Sequence, residues 1–219
     1  MKKWKPFSKW TIEEVEQEFG VVEQPQEYAL LTSWLTQIEL ASPEISPWLP
    51  QLQAQLLKNI YTWNEEELRV KFIGPLLAQV NFDHEAYQSF FEREISVRYK
   101  NDILSGTVDF VVAQGLRSPQ APYFFLHEHK REANSSDDPR GQLLVAMVAA
   151  QILNQNAQPV YGVYIIGRAW FFVILHGKEY AVSLAYDATK DEIYQLFGIL
   201  QHTRQIIDEI VQQKRSPNL

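Results

Sequence analysis

Apolar residues recur every three to four positions through the first third of the chain, and the period shortens to two after about Phe82. Thr11-Ile12-Glu13-Glu14 has the form of a capping box and predicts a short helix ending near Gly20. Tyr28, Leu31, Trp34, Leu35 and Ile38 make one stripe of a second helix over about 25–40, broken by Ala41-Ser42-Pro43-Glu44. Leu52, Leu56 and Ile60 stand one turn apart in a third, over 49–61. Asn64 caps a fourth, whose face is Leu68, Phe72, Ile73, Leu76 and Leu77. Pro75 lies inside that pattern and predicts a kink or an early break, because proline lacks the amide the helix needs there.

Beyond Phe82 the alternation of Phe91, Arg93, Ile95, Val97 and Tyr99 with Glu92, Glu94, Ser96 and Arg98 predicts a half-exposed strand. Two more apolar strands follow, over 106–112 and 123–130, separated by Gly115-Leu116-Arg117-Ser118-Pro119. Asp138-Pro139 is an N-cap with a first-turn proline, and the helix after it, to about Asn154, is so uniformly apolar that it must be buried against a sheet. Strands are predicted over 160–166 and 170–175, joined at Gly167-Arg168, with another over 180–184. A final helix starts near Thr189 and carries Ile193, Leu196, Phe197, Leu200, Ile206, Ile207 and Ile210. The expected class is α/β: a central mixed sheet flanked by helices, with residues 1–54 as an N-terminal helical extension packed on a core of residues 55–219.

Composition narrows this only slightly. The 219 residues are enough for a full core, and 46% hydrophobic with 21% charged residues is ordinary for a globular chain. There is no cysteine, so disulfides and thiolate metal sites are excluded, and any metal ligands must be Asp, Glu or His. No apolar run reaches membrane-spanning length, and Met1-Lys2-Lys3-Trp4-Lys5-Pro6 lacks the apolar stretch of a signal peptide. The expectation is a cytoplasmic protein with no membrane partner. Trp4, Trp10, Trp34 and Trp48 serve either as docking surface or as a lid over the core.

The chemistry concentrates on two strands. Asp109 sits in Gly106-Thr107-Val108-Asp109-Phe110, and Glu128 and Lys130 close Tyr123-Phe124-Phe125-Leu126-His127-Glu128-His129-Lys130. By alternation Glu128 and Lys130 share a face with Phe124 and Leu126, whereas His127 and His129 point the other way and read as packed or solvated histidines. A carboxylate and an ammonium at the end of so apolar a strand are costly to desolvate unless they have a partner. The bland alternatives are a buried Asp109 paired with an arginine or a turn amide, and an inert Glu128–Lys130 ion pair on an edge strand.

Asp109 in Gly-Thr-Val-Asp-Phe, followed by Glu128-His129-Lys130, resembles the acidic motif of the PD-(D/E)XK nuclease superfamily, with Val108 where the pattern has proline. The stretch 64–77, from Asn64-Glu65-Glu66-Glu67 through Arg69 to Ile73-Gly74-Pro75-Leu76-Leu77, is similar to the first helix of the N-terminal nuclease domain of type I restriction enzyme R subunits and related stand-alone proteins. The resemblance covers residues 55–185 and leaves the N-terminal helices unexplained. It implies Asp109 and Glu128 as ligands of Mg²⁺, with Mn²⁺ as substitute and the His129 carbonyl as a third donor. It implies that Lys130 orients or helps deprotonate the attacking water or offsets charge on the phosphate, and that Glu65 binds a second metal or holds a metal-bound water, with Glu66 as the register alternative. Gln142 matches a glutamine found beside the active site in related nucleases.

The implied function is hydrolysis of phosphodiester bonds in nucleic acid, DNA first, in restriction, defence or repair. The alternative is a catalytically silent nuclease-fold protein that binds nucleic acid or a protein. A net charge of −7 argues mildly against nonspecific nucleic-acid binding, although a basic stripe can sit on an acidic body. The candidates for that stripe are Arg93, Arg98, Lys100, His127, His129, Lys130, Arg131 and Arg140. The assembly is left open between a homodimer and a subunit of a larger restriction or repair complex.

Overall fold

The computed structural model describes residues 5–42, 44, 46–130, 138–155 and 158–215, with side chains as far as 213. A 3₁₀ turn at Phe7–Lys9 leads into α1 (Ile12–Phe19), β1 (Val22–Glu23), α2 (Ala29–Thr36) and α3 (Leu49–Asn59). Next come α4 (Glu65–Leu68), a π turn (Arg69–Ile73) and α5 (Gly74–Val80), then β2 (Gln88–Tyr99), β3 (Asp102–Gln114) and β4 (Gln120–Lys130). The chain continues through α6 (Pro139–Asn154), β5 (Val160–Ile166), β6 (Ala169–His176), β7 (Glu179–Val182), β8 (Tyr186–Asp187) and α7 (Glu192–Arg215).

The strands form one mixed sheet in the order β1-β7-β6-β5-β4-β3-β2, with β8 paired to β6. At its centre β4 and β5 run parallel, as they must when the connection between them is the helix α6. The fold is therefore α/β, a sheet flanked on both faces by helices, as the order of periodic segments predicts.

Each face buries its own apolar set. On one, α6 supplies Leu143 through Ala150 and is covered by the N-terminal segment through Phe7, Trp10, Val15 and Phe19. On the other, α2, α3, the helix from α4 to α5, and α7 pack Trp34, Leu56, Phe72, Leu77 and Leu200 against Phe110, Val163, Trp170 and Phe172. Residues before 55 thus enter both cores. Trp10 and Trp34 are buried, Trp34 donating to Thr203 Oγ1 at 2.9 Å, and Trp48 packs edge-on against Phe197. The indoles of Trp10 and Trp34 thus have no surface left for docking, Trp48 is half-buried, and Trp4 lies outside the described residues.

Two glycines let the N-terminal segment dock. A Cβ on Gly141 would lie 2.6 Å from the Trp10 carbonyl oxygen, and one on Gly106 2.6 Å from Phe7 Cβ. Asp138 reinforces this joint, capping α6 through Gly141 N–H at 3.0 Å while its other oxygen accepts from Ile12 N–H at 2.8 Å.

Local expectations hold with informative exceptions. The capping boxes at Thr11 and Asn64 both form. Pro75 does not end its helix. Just upstream the backbone widens into a π turn, closed by Gly74 N–H to the Arg69 carbonyl, and Pro75 stands in the first turn of α5, where its missing donor costs nothing. The α2 helix is shorter than its stripe, and α7 begins at Glu192 rather than near Thr189. Phe124 departs from strict alternation. A register shift between Val112↔Phe125 and Ala113↔Tyr123 puts it on the α7 face with Phe125, so only Leu126 shares the α6 face with Glu128.

Candidate active site

The site lies where two strands part. β3 and β4 pair from Gln114↔Gln120 to Phe110↔His127, and the next pair in that register would be Asp109 and Glu128. The ladder stops there. β4 continues beside β5, with Glu128↔Tyr164 and Lys130↔Ile166, whereas β3 continues beside β2. At the same level β2 is irregular: Glu92 adopts φ 49°, and the ladder steps from Phe91↔Phe110 to Arg93↔Val108, skipping Glu92 and Asp109. Val108 and Phe110 consequently enter opposite cores, which regular alternation would forbid.

Asp109 fills the fork. Its Oδ2 accepts the His129 amide at 2.9 Å, replacing the ladder bond that the parting strands no longer make. His129 Nδ1 is also 2.8 Å from Oδ2, off the line of its N–H. Burial acts to raise the Asp109 carboxyl, but the His129 ring, the His127 ring and the His129 amide outweigh it and hold the group down at about 2. His129 as the holder of Asp109 is a role that reading the sequence missed; only the register of the fork reveals it.

Glu128 is 1% exposed, and its Oε1 has no hydrogen bond although Lys130 Nζ lies 3.1 Å away. Burial pushes its carboxyl well above the usual range, helped by the charges of Asp109 and Glu65 and opposed by Lys130. Lys130 also reaches Glu65 Oε1 at 3.4 Å, so the register question on α4 falls to Glu65. Glu66 is turned away, held at 2.7 Å by Arg69, which clamps Glu92 at 2.5 Å with its other nitrogen. For Lys130 burial acts downward, but Glu128, Glu65 and Asp109 prevail and raise it. A general-base lysine would need the opposite shift, so Lys130 is an ammonium here.

Three carboxyl groups around one ammonium leave a local deficit of positive charge, and the buried Glu128 Oε1 is served by a Lys130 ammonium that it shares with Glu65. Both fit a hard divalent cation. Among the described residues no three His, Asp or Glu side chains converge closely enough to hold a metal by themselves. The donor set that fits is Asp109 with Glu128, completed by water or backbone oxygen, in keeping with the habit of Mg²⁺ of taking one or two carboxylates and keeping its waters. Glu65, 44% exposed and drawn to Lys130, stands at the rim.

The other candidates scatter. His127 and His129 stack on each other at 5.3 Å, with His127 against Trp170, on the face away from Glu128. Burial drives His127 down to about 3, and it stays neutral. Arg98 and Lys100 belong to the far end of the β2–β3 hairpin; Arg98 pairs with Ile103, and Lys100 is bound to Glu18 at 2.7 Å. At roughly 3.4 Å per residue they lie about 20–27 Å along the strand from Asp109, so the structure does not bring them to the fork. Arg93 turns back onto the Phe91 carbonyl at 2.9 Å. Gln142 is buried in the first turns of α6, its Oε1 without a partner. Arg140 is held by Glu23 at 2.5 Å and donates to Tyr180 Oη at 3.2 Å. Arg131 lies outside the described residues. The expected basic stripe is not assembled from the residues described.

No protein-family model matches the chain, and no curated protein matches it either. No helix among the described residues is long and apolar enough to cross a membrane.

Proposed function

We propose that this protein is a metal-dependent nuclease of the PD-(D/E)XK kind, hydrolysing phosphodiester bonds of nucleic acid, with DNA as first choice and Mg²⁺ as the ion. One observation carries the reading: Asp109 and Glu128 occupy the register position where β3 and β4 part, near enough for the Asp109 charge to act on Glu128, with Lys130 at 3.1 Å from Glu128 and Glu65 beyond it. An inert ion pair would not need a second, half-buried carboxyl whose charge opposes the first. Such repulsion is tolerated where a cation or substrate relieves it.

Asp109 and Glu128 would hold the metal, which, when bound, polarises the phosphate and lowers the pKa of water. Asp109, kept ionised and fixed by the His129 amide, would supply one carboxylate ligand. Glu128, whose carboxyl Asp109 and Glu65 push up, would supply the second and be relieved by a positive neighbour. Lys130 donates to a phosphate oxygen or to the attacking water and offsets developing negative charge. Glu65 holds the ammonium from the solvent side.

The test is incubation of the purified protein with single-stranded, duplex and branched DNA in Mg²⁺ or Mn²⁺, beside Asp109→Asn. Cleavage by the wild type alone supports the reading. Absence of cleavage on every substrate, with tight binding retained by both proteins, would put a nuclease-fold binding protein in its place.

A further inference from the structure

On the α6 face the row of side chains that contains Glu128 does not stop at the fork. Tyr164 is its register partner on β5, and Phe171 is the partner of Tyr164 on β6. The two rings stack nearly parallel, centroids 4.6 Å apart with 7° between planes. They open into a groove of about 740 Å³, within the range of small-ligand clefts, whose far wall is Gln24, Pro25 and Gln26 after the edge strand β1. Arg140 and Glu23 line it as well, already paired to each other, so the groove offers aromatic surface and amide groups with little net charge.

We propose that this groove is a nucleobase subsite, taking one unpaired base of the strand whose phosphate lies at Asp109 and Glu128. The inference rests on the nuclease reading and deepens it toward a substrate with an unpaired base near the cut. Position argues for it: Phe171 is two strands from Glu128, about 10 Å at the usual strand spacing, close enough for a base adjacent to the scissile phosphate. Chemistry argues for a base over a backbone. A phosphate track needs free cations, and the arginine here is already neutralised, whereas a base needs a π face and neutral donors and acceptors. Tyr164 is covered by Phe171, leaving Phe171, half-buried, as the ring a base would meet.

The experiment is fluorescence anisotropy with short single-stranded oligonucleotides, with Ca²⁺ in place of Mg²⁺, carrying one abasic position stepped along the strand. Wild type should lose roughly tenfold in affinity when the gap falls at one position. Phe171→Leu should bind the intact strand that much more weakly and ignore the gap. Leu184→Asp, an exposed change on the groove wall that leaves the core untouched, should weaken the intact strand too. A flat abasic scan with unchanged binding by both variants, while Asp109-dependent cleavage persists, overturns the subsite and leaves the nuclease standing. Equal affinity for full duplex likewise overturns it. Loss of both binding and cleavage in the wild type defeats the nuclease reading and this inference with it.

Discussion

The Asp109 carboxylate, on β3, accepts the backbone amide of His129, on β4, at 2.9 Å, one position beyond the last ladder pair between those strands. A side chain thus takes over a backbone duty at the point of divergence, and a single group both closes the fork and faces the candidate metal site. Substitutions there must be chosen to separate the two roles. Asp109→Ala removes the acceptor and leaves a buried amide unpaired, costing about 1–3 kcal/mol of stability as well as any activity. Asp109→Asn keeps an acceptor oxygen. We expect it to stay within about 1 kcal/mol of wild type by urea unfolding while losing cleavage by roughly hundredfold or more.

Glu128 suffers burial, the Asp109 charge and the Glu65 charge with only Lys130 in compensation. Glu128→Gln keeps the shape and removes the ionisable carboxyl that burial, Asp109 and Glu65 oppose, so the metal-free variant should be at least as stable as wild type while inactive. Thermal unfolding with and without Mg²⁺ reads this directly: wild type should shift upward on adding the ion, and the variant should not. A destabilised variant, or equal shifts in both, would remove Glu128 from the ligand set.

The N-terminal segment docks by backbone contact at Gly141 and by the Phe7 ring at Gly106. Gly141→Ala drives a methyl into the backbone of Trp10 and Thr11 and should cost about 2–3 kcal/mol. Gly106→Ala meets a side chain instead, the Phe7 Cβ included, so Phe7→Gly should make room for it. The double variant should then be more stable than the sum of the two single losses implies, measured as a mutant cycle in chemical denaturation.

Tyr161 is buried against Trp34, and burial, aided by Glu209, raises its hydroxyl to about 12 from an unfolded value near 10. The folded state therefore retains a proton that the unfolded chain releases first. Its contribution is fully present below pH 10 and lost as pH climbs from 10 to about 12, about 2–3 kcal/mol in all. Tyr161→Phe should lose less stability across that window than wild type in a pH series of thermal melts. Identical alkaline slopes would contradict the assignment.

Reading the sequence located the strands carrying Asp109, Glu128 and Lys130, the capped helix carrying Glu65 and the buried helix α6, because each is written in local periodicity and capping chemistry. It misplaced Phe124, whose face depends on a bulge that no local pattern records. It grouped Arg98 and Lys100 with the site by proximity in sequence, although the long hairpin carries them to its other end. It left Glu65 and Glu66 undecided, since adjacent residues on one helical turn are equivalent until something outside the helix claims one of them.

The chain's own residues determined which segments are helix and strand, and that acids and a lysine stand at the end of an apolar strand, since alternation and caps act over a few residues. Tertiary structure decided where β3 leaves β4, that the His129 amide holds Asp109, that the carboxyls around Lys130 raise its pKa, and that Tyr164 and Phe171 continue the row begun by Glu128. Those outcomes depend on the register between strands and on the charge each buried group meets across the sheet, and both are set by residues distant in sequence.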